Sequence, residues 1–418
     1  VIDLKLLRSS PEVLRESLAR RGSAIDLDQL IALDASHRRL LGEVESMRAE
    51  QNRANKLIAS SSGAERDAAI EQMRTLASGL KDLEEKLEHA KAGLDGLLPQ
   101  VPNLVHPQSP NGSGEDSNRV ITQTGAVSDF DFTAADHLDL GEALDIIDVK
   151  RASKVSGSRF AILKGKGALL ELALVRFAMD RLSAAGFVPV IPPVLVREEA
   201  MYGTGFLPAD EFEIYKTASD DLYLAGTSEV PLASMHAQET VAAAGLPLRY
   251  AAFSTCFRRE AGTYGKDTRG IIRVHQFDKV EMFVFCKADE SERRHEEILA
   301  IEEELFSLLE VPYRVVDICA GDLGSSAQRK FDLEAWLPGS KRWLEVTSCS
   351  NCTDYQARRL EIRTKGEKGA ELVHTLNGTA VAVGRAIVAI LENHQRSDGS
   401  VAIPKALQPY AGFNEITP

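Results

Sequence analysis

The chain has 418 residues, with 62 Asp and Glu against 49 Lys and Arg and a formal net charge of −13. That surplus excludes indiscriminate coating of nucleic acid, since a phosphate backbone attracts basic surface, although local basic patches stay open. A hydrophobic content of 44% with 27% charged residues excludes a disordered chain and fits two or three folded domains, and no apolar run has the length of a membrane span.

The first 22 residues mix both charges and lack the apolar core of a signal peptide, so the cytoplasm is the expected compartment. Residues 27–98 then carry a helical signature. Leu30, Leu33, His37, Leu40, Val44, Met47, Gln51, Ala54 and Leu57 follow a three–four alternation. After Ala59-Ser60-Ser61-Ser62-Gly63 it resumes through Met73, Leu76, Leu80, Leu83, Leu87, Ala90, Leu94 and Leu97. Such spacing lays one narrow apolar seam along each of two helices. The Ser/Gly break predicts a tight reversal, and hence an antiparallel two-helix coiled coil about 45–60 Å long. His37 and Gln51 read as register-setting polar positions. A hairpin with so little interior serves to reach something away from the body. On this segment alone, dimerisation and contact with RNA or another partner are equally open.

From Pro99 to Asn118 the chain is rich in Pro, Gly and Ser and reads as a connector. The expected division is an N-terminal domain at 1–105, a linker at 106–128 and a larger body at 129–418. Within the body, Ala168–Ala185 reads as an apolar helix and GFVPVIPPVLV, residues 186–196, as extended chain. Pro189, Pro192 and Pro193 argue against a central parallel strand. The expectation is an α+β body, a mainly antiparallel β-sheet flanked by helices, rather than a doubly wound fold. Cys256, Cys286, Cys319, Cys349 and Cys352 are odd in number and irregularly spaced, which predicts free thiols. Cys349 and Cys352 lack the second ligand pair that zinc requires, His374 being the nearest candidate, and read as packed thiols.

The stretch FRREAGTYGKDTRGIIRVHQFDKVE, Phe257 to Glu281, is the most informative. It reads as a β-hairpin with bends at Gly262, Gly265 and Gly270. Strand alternation places Arg258 with Glu260, and Arg273 with Phe277 and Glu281 on the returning strand. Two guanidiniums, an aromatic ring and two carboxylates on one surface suit a nucleotide bound beside an amino acid. A solvated sheet face laced with salt bridges is the alternative for the hairpin taken alone.

With those residues in view, the chain resembles the bacterial-type seryl-tRNA synthetases, class II aminoacyl-tRNA synthetases, over essentially its whole length. The helical hairpin resembles the family's tRNA-binding arm, and GFVPVIPPVLV resembles the first class II motif, at the dimer interface. Phe257–Glu281 resembles the second motif and LNGTAVAVGRAIVAILENHQ, residues 376–395, the third. GTSEVPL at 226–232 and LEVTSCSNCTDYQARR at 344–359 are also similar. The resemblance implies activation of L-serine with ATP to a seryl-adenylate and transfer of the seryl group to tRNA(Ser), with tRNA(Sec) permitted. It also implies Mg²⁺, a homodimer, and an arm that grips the tRNA held by the partner subunit.

Residue roles follow from the same resemblance. Arg258, Glu260 and Arg385 form the catalytic set, Arg258 bridging the α-phosphate and the serine carboxylate as a planar fork can. Arg273 faces the γ-phosphate, while Phe277 and Arg385 sandwich adenine. Arg259, Val274, Val346 and Thr347 belong to the ATP-binding stretches, and Glu345 with Ser348 takes magnesium and phosphate. Thr227, Ser228 and Glu229 form the segment for the serine ammonium, with Ser228 pointing away. Glu281 and Thr379 meet the serine hydroxyl, so alanine would strand buried partners. Arg48, Arg53 and Lys56 are assigned to the tRNA backbone. Taken singly, Arg385 reads as a core-edge ion pair and His275 as a structural hydrogen-bonding group, because the substrate carboxylate is already a nucleophile. Three rivals stand beside the ligase, one of them a class II synthetase for another amino acid, which for threonine would favour a zinc ligand set that is not evident. A non-catalytic RNA-binding paralogue is opposed by the complete set of reactive side chains, and a ligase loading a different acceptor is opposed by the arm.

Overall fold

The computed structural model describes residues 2–127, 129–261, 269–366 and 369–418. Gly262 and Gly265, two of the three expected bends, lie outside them. Two compact units are present, one of residues 1–19 and 23–102, the other of residues 20–22 and 103–418.

In the first unit, Leu27–Ser60 and Ala64–Leu97 are helices of 34 residues each, or about 51 Å apiece at 1.5 Å per residue. The Asp26 carboxylate caps the first by accepting from the Gln29 N–H. Ser61 to Gly63 reverse the chain, with Gly63 at φ 64°. Leu30, Leu40, Val44 and Ala54 are buried, as are Ala69, Leu80, Ala90 and Leu94 on the returning helix, so the alternation in the sequence becomes a coiled-coil seam. Leu57 departs from it at 39% exposed, close to the reversal where the seam runs out. Arg48 pairs with Glu84 across the hairpin at 2.7 Å, while Arg53 and Lys56 are exposed.

The second unit is built on an eight-stranded sheet. Its strands are β1 (Arg119–Thr124), β2 (Val188–Val190), β3 (Leu248–Phe257) and β4 (Gln276–Cys286), then β5 (Tyr313–Asp317), β6 (Arg329–Leu337), β7 (Arg342–Thr353) and β8 (His374–Ala382). Their order is β1-β5-β6-β7-β8-β4-β3-β2. Every neighbouring pair is antiparallel except β2 with β3. Pro189 therefore lies on an edge strand, where a missing N–H is tolerated.

The stretch read as a linker at 106–128 is not all connector, because β1 falls within it and pairs with β5. Just upstream, the buried Asn103 amide donates to the carbonyls of Ser326 and Cys352. Composition marks this region as irregular chain but carries no sign of those long-range partners.

Helices Lys166–Ala184, Ser291–Leu308 and Val383–Asn393 supply much of the core. Leu170, Leu174, Phe177, Phe306, Ile387 and Ile390 are buried with Met282 of β4, each such side chain contributing roughly 1.5–3 kcal/mol. Ser291–Leu308 approaches β8 closely at Gly378, where a Cβ would lie 2.3 Å from Ile298 Cγ2.

Candidate active site

Strands β4, β7 and β8 line a cavity of about 490 Å³, with segments 226–229, 257–260 and 271–274 around it. Thr227, Glu229, Arg258, Glu260, Arg273, Val274, Phe277, Glu281, Glu345, Val346, Thr347, Ser348, Thr379 and Arg385 all border it. Ser228 and Arg259 do not. Ser228 is buried with its hydroxyl 2.6 Å from that of Ser254. Arg259 is exposed, and its N–H donates to the Glu213 carbonyl.

The expected hairpin needs one correction. β3 ends at Phe257 and β4 begins at Gln276, so Arg258, Glu260 and Arg273 sit on the connecting chain and not on strands. Glu260 adopts φ 50°, a left-handed conformation that ends the extended run. Strand alternation therefore applies to Phe277 and Glu281 but does not place Arg273 with them. The connecting chain is held by other means. Arg258 N–H donates to the His275 carbonyl at 3.0 Å, and His275 Nδ1 donates back to the Arg258 carbonyl at 3.0 Å. His275 is thus spent on structure. Arg273 meets Glu260 at 3.1 Å. Gly270, at φ 75°, has no room for a side chain, since a Cβ would lie 2.0 Å from His137 Nε2. That nitrogen accepts from the Ile271 N–H, which leaves Nδ1 to donate to Glu392.

Two register shifts aim the remaining groups. In the β6–β7 pairing, Leu333 faces Thr347 but Glu334 faces Glu345, so β7 carries one extra residue at Val346. This bulge turns Glu345 and Ser348, of opposite parity, toward the same cavity. Thr347, which also borders the cavity, donates its hydroxyl to Glu302. A shift between β4 and β8 sets Glu281 opposite Thr379, whose hydroxyl lies 3.5 Å from Glu281 Oε2.

The cavity has two electrostatic ends. At one, Arg258 Nε donates to the Gly226 carbonyl, and its guanidinium lies 5.3 Å from the centre of the Phe277 ring. Arg385 donates to the Glu345 carbonyl at 2.8 Å and lies 3.5 Å from its carboxylate. Burial would raise the Glu345 pKa, but Lys330, Arg385, Arg258 and Arg273 outweigh it and hold the acid below its ordinary range. Its side chain still opens into the cavity, 45% exposed, with protein on the other sides. Lys330 sits 3.0 Å from Asp332, whose pKa is pushed up to about 7, chiefly by burial. At the other end, burial and then the Glu281 charge push Glu229 up to about 7, opposed by a hydrogen bond from Gln356 at 2.6 Å. Thr375 fixes Gln356 in turn by donating to its carbonyl oxygen.

Lys279, Lys330, Asp332, Gln356 and Asn377 are the groups that the motifs did not single out. Lys279 was within reach, because it shares parity with Phe277 and Glu281. Gln356 reaches Glu229 across 127 residues of chain, and no local pattern signals that contact.

Residues 212–394 match the tRNA synthetase class II core domain of the G, H, P, S and T enzymes. The sheet and its cavity are accordingly those of a class II synthetase core. Residues 1–105 match the seryl-tRNA synthetase N-terminal domain. The serine–tRNA ligase of Thermobifida fusca (strain YX) is 53% identical over 420 residues, spanning 100% of this chain and 99% of that relative. The seryl-tRNA synthetase from Pyrococcus horikoshii, solved with ATP, superimposes with a TM-score of 0.95 at 44% identity over 100% of both chains. The cytoplasmic serine–tRNA ligase from Naegleria fowleri, solved with AMP, gives 0.89 at 33% identity over 99% of this chain and 98% of that one. The chain belongs to the seryl-tRNA synthetase family.

Proposed function

We propose that this protein activates L-serine with ATP and passes the seryl group to the 3′ end of tRNA(Ser). The observation that carries the reading is one cavity with a guanidinium cluster at one end and a buried acid pair with a hydroxyl-bearing neighbour at the other. A serine carboxylate oxygen attacks the α-phosphorus, the bond to pyrophosphate breaks, and a tRNA 3′ hydroxyl later displaces AMP from the seryl carbonyl. Charge accumulating on the phosphate oxygens is met by Arg258, with Arg273 placed for the departing pyrophosphate. Phe277 and Arg385 take the adenine between them. Glu345 stays ionised within its cationic surroundings and opens into the cavity beside Ser348. Those oxygens fit a hard cation, and Mg²⁺ held there would supply charge neutralisation for the phosphates. Glu229 receives the serine ammonium, while Glu281 and Thr379 read its hydroxyl.

The arm contributes tRNA contact through Arg48, Arg53 and Lys56, mainly by phosphates and shape. A homodimer is supported by apolar side chains that stand exposed in and near the first class II motif. Val188, Ile191 and Leu195 are 55%, 75% and 45% exposed, and Val155 and Leu172 are 78% and 63%. Among the described residues no helix is long and apolar enough to cross a membrane. Five free, buried thiols suit the reducing cytoplasm. Light scattering on the eluted protein tests the dimer, and charging of tRNA(Ser) and tRNA(Sec) transcripts tests the acceptor range.

Pyrophosphate exchange with single amino acids tests the substrate. Exchange is expected with serine and little with threonine, alanine or glycine. Strong exchange with threonine and none with serine would overturn the assignment.

A further inference from the structure

We propose that Lys279 is a positioning residue for serine recognition, joining the Thr227–Glu229 segment to the hydroxyl-reading Glu281 and fixing which atoms each offers to the ligand. The inference rests on the serine reading of the pocket given above. Lys279 is 5% exposed, a depth at which an ammonium needs a counter-charge and hydrogen-bond acceptors. Both are present. Its Nζ donates to Thr227 Oγ1 at 2.7 Å and pairs with Glu281 Oε2.

The consequence lies in the donor and acceptor count. Thr227 Oγ1 accepts from Lys279 and also from the Glu229 N–H at 3.2 Å. A hydroxyl oxygen has two lone pairs, so both are engaged, and only the Thr227 proton is left for a ligand. Thr227 is thereby a donor, suited to a substrate oxygen and not to the ammonium, which falls to Glu229. Glu281 takes Lys279 and Thr379 on the same oxygen, Oε2. Oε1 is the acceptor left for a substrate hydroxyl. Lys279 and Glu281 alternate onto the same face of β4, so a register slip in that strand would lose both. One buried cation thus sorts the pocket into a donor at Thr227 and an acceptor at Glu281. That polarity matches an amino acid with a hydroxyl side chain.

The test is pyrophosphate exchange from pH 6.5 to 9, with separate KM values for serine and ATP. It compares the wild type with Lys279→Met, Lys279→Arg, Glu281→Gln and the double variant Lys279→Met/Glu281→Gln. Lys279→Met should raise the serine KM by roughly tenfold or more and leave the ATP KM within about twofold. Its serine kcat/KM should rise at higher pH than in the wild type, because the Lys279 charge no longer opposes the burial that raises Glu229. Lys279→Arg should keep the wild-type profile. The double variant should lose clearly less than the product of the two single losses, since Lys279 acts in part through that partner. An unchanged serine KM in Lys279→Met overturns the inference, as does a pH-independent loss shared equally with ATP. A double variant whose loss equals the full product of the two single losses also overturns it, because the two residues then act independently. If Lys279→Met does not fold, Lys279→Gln, which keeps a polar donor at that position without the charge, takes its place with the same expected and overturning results. Absence of serine exchange in the wild type is a separate result that refutes the serine reading itself.

Discussion

Arg258 holds its guanidinium 5.3 Å from the centre of the Phe277 ring while its Nε is anchored to the Gly226 carbonyl. The cation is thus oriented before any nucleotide arrives, by a ring on one side and a backbone acceptor on the other. Preorganisation of this kind is what lowers a barrier in which negative charge accumulates on phosphate oxygens. Arg258→Ala should reduce serine-dependent pyrophosphate exchange by about a thousandfold or more. The melting temperature and oligomeric state should not change. Arg258→Lys should recover little, since a point charge cannot span two oxyanions.

On the proposed reading Phe277 serves a second partner, the adenine. Replacing it with Ala removes the aromatic face against which both the base and Arg258 rest. The ATP KM should rise by roughly tenfold, in line with about 1–2 kcal/mol for stacking and cation–π contact. The serine KM should move much less, because Phe277 lies on the nucleotide side of Lys279. Equal effects on both substrates would place Phe277 elsewhere in the reaction.

Serine binding should depend on pH through Glu229. Its pKa stands at about 7 because burial and the Glu281 charge disfavour the ionised form. Below that value the carboxyl is neutral and, on the proposed reading, would give the substrate ammonium no counter-charge. The kcat/KM for serine, at saturating ATP, should therefore climb between about pH 6 and 8 and level off above. Glu229→Gln should lie lower and lose this limb of the profile. A profile still rising across neutrality in that variant would assign the ionisation to another group.

The arm and the sheet class were legible because they rest on periodicity. Nine positions from Leu30 to Leu57 repeat on one helical face, and Pro189 excluded a central strand from its own chemistry. The site was legible only in part. Phe277 and Glu281 follow from alternation, but Arg273 does not, since β4 starts three residues later. Glu345 and Ser348 share a cavity only through an extra residue at Val346, and no spacing rule foresees a bulge. Gln356 and Asn103 act through partners more than a hundred residues away. Strand ends, bulges and long-range amides are tertiary choices, and a local pattern holds no record of them.

Glu302 offers a test of stability separate from activity. It is fully buried, accepts from Thr347 at 2.8 Å and has Oε1 beside Gly378 with no hydrogen-bond partner among the described residues. Burial pushes its pKa well above the ordinary 4.5. An acid whose folded pKa is raised adds stability that is complete below the unfolded value and is lost as pH rises toward the folded one. Each pH unit in that window costs up to about 1.4 kcal/mol. Glu302→Gln keeps the acceptor for Thr347 and removes the titration. The variant should match the wild type near pH 4.5 and melt higher by a few degrees at pH 8, at roughly 1–1.5 °C per kcal/mol for a unit of this size. A variant that melts lower at every pH would show that the neutral acid makes a hydrogen bond that an amide cannot replace.

Removing the arm should separate the two half-reactions. Leu33 and Gly93 face each other across the seam, a Cβ on Gly93 lying 3.0 Å from Leu33 Cδ2. Deleting residues 34–90 and joining the stumps through a short Gly/Ser bridge therefore spans only the width of the coiled coil. Everything bordering the catalytic cavity lies between residues 201 and 385 and is untouched. Serine-dependent pyrophosphate exchange should stay within about twofold of the full chain, since no group that meets ATP or serine is lost. Charging of tRNA(Ser) should fall by about a hundredfold or more, because the phosphate contacts proposed for the arm would be lost. In the full chain, Arg53→Glu with Lys56→Glu should weaken charging and make it more sensitive to salt, whereas Arg48, already paired with Glu84, should matter less. Normal charging by the truncated protein would assign the hairpin to something other than tRNA.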